Sequence, residues 1–284
     1  MTLPMPSAVV DLRVEPVDEV LDRVEQALQV RLERGTVVRK RRSVGAQTDR
    51  DTWVRIERRC LDRIDGQDWN GTECAQALTG VAKPTWCSGV AWRDALHAAV
   101  WRADETSLLP GRPVGSSVVA TDPDLSDKWW RALNNSLDAL AAQSTTRLAT
   151  PDLETITQAM VSAAIATSFP GDYDTTVARW QPAHADLNWA NMTGPRFCMF
   201  DWEDWGLAPR GLDSASLWGS SLAVPALAAR VRYERRADLD SRDGKLMTLF
   251  VCSKITGPHA HPDDPRLDPA RQEAARIVRE LQRG

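Results

Sequence analysis

The chain is short of positive charge, of long apolar runs and of paired cysteines. Its 284 residues carry 35 Lys and Arg against 39 Asp and Glu, a formal net charge of −4. That balance excludes the basic footprint of a nucleic-acid partner. No apolar stretch approaches the ~18 residues that span a bilayer, so no membrane segment is expected. The opening residues, MTLPMPSAVVDLRVEP, lack a basic stretch followed by an apolar one. No secretory signal is expected, and the cytoplasm is the expected compartment. The five cysteines (Cys60, Cys74, Cys87, Cys198 and Cys252) are odd in number and form no C-x-x-C pair. A disulfide framework and a zinc knuckle are thereby excluded, and free, mostly buried thiols are expected. Tyrosine (2) and phenylalanine (4) are scarce beside 12 tryptophans, which are expected mostly to fill the core.

The common nucleotide and hydrolase motifs are also absent. There is no G-x-x-x-x-G-K-[ST], no G-x-G-x-x-G, no G-x-S-x-G and no H-E-x-x-H. What is present is the balance of a soluble globular protein, 43% apolar and 26% charged. The length suits two lobes or one large domain.

Val17, Val20, Leu21, Val24, Leu28 and Leu32 recur at helical spacing, with Gly35 following. Residues 36–44 and 52–59 read as strands joined by a turn at GAQTDRD, and 70–80 reads as a short helix. Two further strands around a loop are expected over 89–105. Beyond them the chain reads as helical. Residues 125–143 place Trp129, Trp130, Leu133, Leu137 and Leu140 on one face. Thr150–Pro151 reads as a helix start, with Ile156, Met160, Ala163 and Ala164 on one face and Pro170 beyond the end. Further helices are expected from near Asp213 and from Asp268–Pro269, with loop over 257–269.

One stretch carries chemistry: His184-Ala-Asp186-Leu-Asn-Trp-Ala-Asn191, followed by Asp201 in FCMFDWEDWG. Pro182 before it and the strand-like RFCMF after it mark an ordered loop, where catalytic groups tend to sit. H-x-D-x-x-x-x-N followed by D is the spacing of a phosphoryl-transfer site. A carboxylate, Asp186, would orient an attacking hydroxyl and take its proton. The amide oxygen of Asn191 and the carboxylate of Asp201 are the hard oxygen ligands that Mg²⁺ prefers. His184 would pin the loop's backbone.

HADLNWAN…FDWEDWGLAPRGLD resembles the aminoglycoside phosphotransferase family, which carries a similar H-G-D-x-x-x-x-N…D-W-E signature. The resemblance is strong from about 180 to 218 and weak in the N-terminal part. It implies an α+β, two-lobed, protein-kinase-like fold: a small strand-rich N-lobe over 1–105 and a larger, mainly helical C-lobe over 106–284. The order of elements read from periodicity is the same. The resemblance also implies an ATP- or GTP-dependent kinase using Mg²⁺, with a small hydroxylated substrate, an aminoglycoside antibiotic among the options. Asp213, seven residues after Gly206, matches the family's aspartate that ties the catalytic loop to a helix. Glu73 fits the helix glutamate that pairs with a phosphate-holding strand lysine. The strand offers Arg55 instead, with Lys40 as the other candidate. WRADE (101–105) would be the hinge, with Ala103 and Glu105 presenting backbone to the adenine, and Gly45 would sit in the phosphate-covering loop. Residues 106–180 and 214–260 would form the acceptor pocket.

Two rivals are weighed. His184 and Asp186 with His259 or His261 imitate a two-His-one-carboxylate iron site, with Arg266 as a carboxylate anchor. That reading needs a strand-rich barrel and leaves Asn191 and Asp201 unused. The other rival is a kinase-like binding protein with little catalysis, motivated by the missing lysine and the single glycine. Trp189, Trp202 and Trp205 are open between core and substrate wall, as Glu203 and Asp204 are between cation binding and solvent.

Overall fold

A computed structural model describes residues 11–283, apart from 62, 63, 65, 66, 95, 96, 152, 153 and 259. The chain divides into two compact units. The first runs to Ala77 and resumes from Pro84 to Leu109; the second takes Leu78–Lys83 and everything from Pro110 on.

The first unit is a helix, α1 (Asp18–Leu28), on an antiparallel five-stranded sheet. The strands are β1 (Val38–Arg39), β2 (Ser43–Gln47), β3 (Thr52–Cys60), β4 (Trp86–Arg93) and β5 (Ala99–Ser107), in the order β1-β2-β3-β5-β4. Period-2 alternation puts Val44, Ala46, Val54, Ile56, Trp101 and Ala103 on the face that packs with Leu21 and Val24 of α1. The helix stops at Leu28 because Gln29 turns left-handed at φ 57°. Leu32, expected on its face, instead bridges to Thr48. A four-residue helix, α2 (Gly71–Cys74), lies between β3 and β4.

This unit departs from the reading at several residues. Gly45 is not in a loop: it lies inside β2, opposite Arg55, where a Cβ would run into the indole of Trp53. Lys40 sits not on a strand but in the exposed turn between β1 and β2, closed by its N–H to the Ser43 carbonyl. Ala103 and Glu105 are no hinge. Both lie in β5 between β3 and β4, so the ladders on either side commit the backbone meant for an adenine. Glu105 is buried and takes hydrogen bonds from the hydroxyls of Thr52 (2.7 Å) and Ser88 (2.8 Å).

In the second unit the two-stranded ladders β6 (Arg112–Pro113) with β8 (Thr193–Gly194), and β7 (Trp180–Ala183) with β9 (Gly206–Pro209), carry the His184–Asn191 loop among helices. Those helices are α3 (Asp127–Ala141), α4 (Gln158–Ser168), α5 (Leu212–Ser221), α6 (Pro225–Glu234), α7 (Arg236–Leu239), α8 (Arg242–Ile255) and α9 (Leu267–Leu281). The expected face of α3 is the buried one, and α5 and α9 begin within a residue of their expected starts. α4 does not begin at Thr150. Thr157 caps it, and the Thr150 hydroxyl is engaged elsewhere. Among the described residues no helix is long and apolar enough to cross a membrane.

None of the twelve tryptophans is exposed. Trp129 meets Trp130, Trp189 and Phe197 with ring centres 5.1–6.0 Å apart, a core cluster worth more than its area alone. None of the five cysteines forms a disulfide, but only Cys198 and Cys252 are buried; Cys87 is exposed and Cys60 and Cys74 are half-buried. Strand alternation explains Cys87, which points from β4 toward solvent.

Candidate active site

The loop between β7 and β9 is closed on itself before it meets anything else. Asn191 ends a short turn, Trp189–Asn191, capped by the Asn188 side chain on the Ala190 N–H. The chain then doubles back: Thr193 N–H donates to the Cys198 carbonyl, and Phe200 N–H to the Asn191 carbonyl at 3.0 Å. Asp201 therefore follows directly on the residue paired with Asn191, which explains how ten residues of sequence separation bring two ligand types together. Trp189, fully buried, anchors the turn through its indole N–H to the Ser221 hydroxyl at 3.0 Å.

His184 and Ala185 aim their backbone N–H groups at one carboxylate. Asp213, in the first turn of α5, accepts from His184 at 2.7 Å and from Ala185 at 2.9 Å. The convergence needs Ala185 at φ 70°, a left-handed conformation that favours glycine. This accounts for the glycine in the resembling signature at a place where this chain has alanine. The His184 ring, 0% exposed, donates from Nε2 to the Phe200 carbonyl at 3.0 Å and stands edge-on to Trp202 at 4.6 Å. It thus fastens the Asp186 loop to the residue preceding Asp201.

Asp186 is exposed and held by two amides. Asn188 Nδ2 donates to Oδ1 at 3.0 Å, and Asn191 Nδ2 donates to Oδ2 at 2.8 Å. Because Asn191 commits its nitrogen to Asp186, its Oδ1 is the atom that would meet an ion. Surrounding protein raises the Asp186 pKa above the ordinary carboxylate value. His184 and Asn191 oppose the rise, and the charge of Asp201 adds to it. Asp204 is lifted to about 6, first by burial and then by the charges of Asp186 and Asp201, while Thr150 Oγ1, donating at 2.9 Å, opposes.

The charge of Asp201 adds to the rise at Asp186, and both charges add to the rise at Asp204, so the site is short of positive charge, which a divalent cation would supply. The donor set fits Mg²⁺, which takes one or two protein oxygens and completes its octahedron with water and phosphate. Asp201 and Asn191 Oδ1 would be those oxygens. Asp201 has φ 70°, a strained backbone of the kind that gathers at functional sites. The iron-type arrangement does not form. His184 is fixed on Phe200, His261 is exposed beside Asp263, and His259 lies outside the described residues. Among the described residues no group of three or more His, Cys, Asp or Glu is placed to hold a metal.

Arg55 and Glu73 are not a pair. Arg55 faces Glu57 at 2.5 Å, whereas Glu73 takes the guanidinium of Arg102 at 3.0 Å. Arg102 also grips Asp104 at 2.6 Å. The strand alternation of β5 puts Arg102 on the same face as Asp104, a signal the sequence contained. Thr150 and Asn188 were missed as site residues, and Asp204, left open between cation binding and solvent, is half-buried against Thr150. Only Asn188 had a local signal, two positions after Asp186. Trp189, Trp202 and Trp205 are buried and belong to the core. Arg147 lies over the Trp205 ring and donates to the Trp205 carbonyl. A cavity of about 400 Å³, lined by Asn134, Asp138, Arg179, Arg210 and Glu234, opens at the start of β7, whereas Asp186 follows its end.

A strand-rich unit with kinase strand order, a helical unit, and this loop define the class: an α+β, two-part, protein-kinase-like fold. The chain is similar over 94% of its length to 93% of amicoumacin kinase hAmiN, solved in complex with AMP-PNP, Ca²⁺ and Ami, at 12% identity and TM-score 0.56. It is similar over 93% of its length to 99% of aminoglycoside phosphotransferase APH(4)-Ia, at 11% identity and TM-score 0.58. The GDP complex of aminoglycoside 2'-phosphotransferase-IIIa matches over 94% of this chain and 99% of its own, at 13% identity and TM-score 0.56. No protein-family model and no curated protein sequence matches the chain.

Proposed function

We propose that the chain is a small-molecule kinase that transfers the γ-phosphate of ATP or GTP to a substrate hydroxyl, working in the cytoplasm on an aminoglycoside-like or other small alcohol. The observation that carries the reading is the Asp186–Asn191 bond at 2.8 Å beside Asp201. One amide orients the base and offers its oxygen to the ion. Asp186 accepts the hydroxyl proton, its raised pKa bringing it nearer the value a base needs. Asn191 and Asp201 would hold Mg²⁺, which neutralises phosphate charge when bound. His184 and Asp213 keep the loop in register, so the acceptor oxygen is oriented before reaction. Arg102, Arg55 or Lys40 would meet the nucleotide phosphates.

Calorimetric titration with ATP and GTP in Mg²⁺ tests the binding half. Metal-dependent binding is expected for the wild type and lost in Asp201→Ala. A panel of hydroxylated acceptors then tests transfer. Asp186→Asn should lower turnover about 10²–10⁴-fold with nucleotide binding kept. Turnover unchanged in that variant would sink the assignment of the base. The second reading, a kinase-like binder with little catalysis, draws on Glu73 being paired with Arg102 rather than with a lysine. Nucleotide binding with no transfer to any acceptor in the panel would favour it.

A further inference from the structure

Behind the Asp213 anchor lies a buried cation that the reaction described above does not use. Arg235, between α6 and α7, is 8% exposed. Its NH2 donates to Asp238 at 2.6 Å, its Nε to the Ser214 hydroxyl at 3.3 Å, and its NH1 to Asn134 and Asp138 of α3 at 3.3 and 3.1 Å. Ser214, the residue after Asp213, donates in turn to Asp238 at 3.0 Å, and Arg210 reaches the other Asp238 oxygen at 3.2 Å. Asp213, Ser214, Arg235 and Asp238 line one cavity of about 20 Å³, room for a single water. The α7 side of this cluster is fixed. Gly211, at φ 90°, packs against Gly244, and a side chain on Gly244 would overlap the Asp238 carbonyl.

A buried ion pair adds little net stability over an apolar replacement. Its presence beside the catalytic-loop anchor calls for another role. We propose that Arg235 is a positioning residue for phosphoryl transfer: clasped by Ser214 and Asp238, it lines one cavity with Asp213 and keeps that carboxylate the anion that grips the His184 and Ala185 amides. The inference rests on the small-molecule kinase reading. Asp213 meets the two amides directly and feels the charges of His184 and Arg235, while Arg235 is bonded to Asp138, Asp238, Ser214 and Asn134. Burial pushes the Asp213 carboxyl up, and His184, the amides and Arg235 oppose that rise. Without Arg235, Asp213 takes its proton at higher pH. The protonated oxygen then holds its amide poorly, and the backbone before Asp186 loosens.

The test follows the His184 and Ala185 amide resonances of the full chain against pH, in the wild type, Arg235→Lys and Arg235→Met. The titration midpoint should rise about one pH unit or more in Arg235→Met and return toward wild type in Arg235→Lys. Hydrolysis of Mg-ATP, with water as acceptor, should lose about ten- to a hundredfold in kcat at neutral pH with KM for ATP unchanged. That loss should shrink as pH rises. An unchanged amide midpoint in Arg235→Met overturns the proposal, even if the variant is less stable. Should Arg235→Met not fold, Arg235→Met combined with Asp238→Asn removes both charges of the buried pair and carries the same readout. A wild type that neither binds nor hydrolyses nucleotide defeats the kinase reading alone, because the amide titration reports the anchor independently.

Discussion

At Asp204 one carboxyl group records the electrostatics of the whole site. Its ordinary pKa is 3.8 and its folded value is about 6. Between those values the unfolded chain has released the proton while the folded chain keeps it. Stability therefore falls as pH rises through that window and is flat above it. Asp204→Asn keeps an oxygen for the Thr150 hydroxyl and removes the charge. Without divalent metal, the variant should be more stable than wild type by about 1–2 kcal/mol at neutral pH, the gain vanishing as pH falls to the ordinary carboxylate range. Thermal melts of both proteins against pH check it, and parallel profiles would show that the carboxyl is not raised. Nothing near Asp204 in sequence announces this, since its hydrogen-bond partner Thr150 is 54 residues away.

The β7–β9 ladder is the element that delivers the site, and Gly206 is its tightest point. Gly206 pairs with Ala183, the residue before His184, and a Cβ there would lie 2.5 Å from the Leu148 carbonyl carbon and 2.6 Å from the Ala149 nitrogen. Backbone does not move aside as a flexible side chain does. Gly206→Ala should cost more than ~2 kcal/mol in urea unfolding and weaken Mg-nucleotide binding in step. A variant as stable as wild type would mean that the 148–149 backbone yields. The existence of the loop was legible from Pro182 and RFCMF, and α3 from its apolar spacing, because both signals sit in contiguous residues. The start of α4 was misread: Thr150 and Thr157 offer the same capping hydroxyl, and only Asp204 decides that Thr150 is used elsewhere.

On the scale of the molecule, each unit has its own core. Val54, Ile56 and Ala103 lie in the first, and Leu133, Leu140 and Trp129 in the second. Chains built this way depart from two-state unfolding. Calorimetry should resolve two transitions. Ile56→Ala should lower one by about 2–5 kcal/mol and Leu133→Ala the other by a similar amount. If either variant moves both transitions together, the units unfold as one. The division at 105/106 expected from the sequence falls inside β5, which continues to Ser107. A polar Glu105 reads as the end of a strand until Thr52 and Ser88 are seen to satisfy it.

The sequence by itself determined the class of fold, the spacing of His184, Asp186, Asn191 and Asp201, and the helices whose apolar faces repeat. These are properties of contiguous residues, written in period and spacing. Tertiary structure alone decided the partners. Glu73 meets Arg102 rather than Arg55, Thr150 meets Asp204, and Arg235 stands behind Asp213. Burial and charge at a site depend on groups brought in from distant parts of the chain, and no local pattern encodes which of several arginines or hydroxyls arrives.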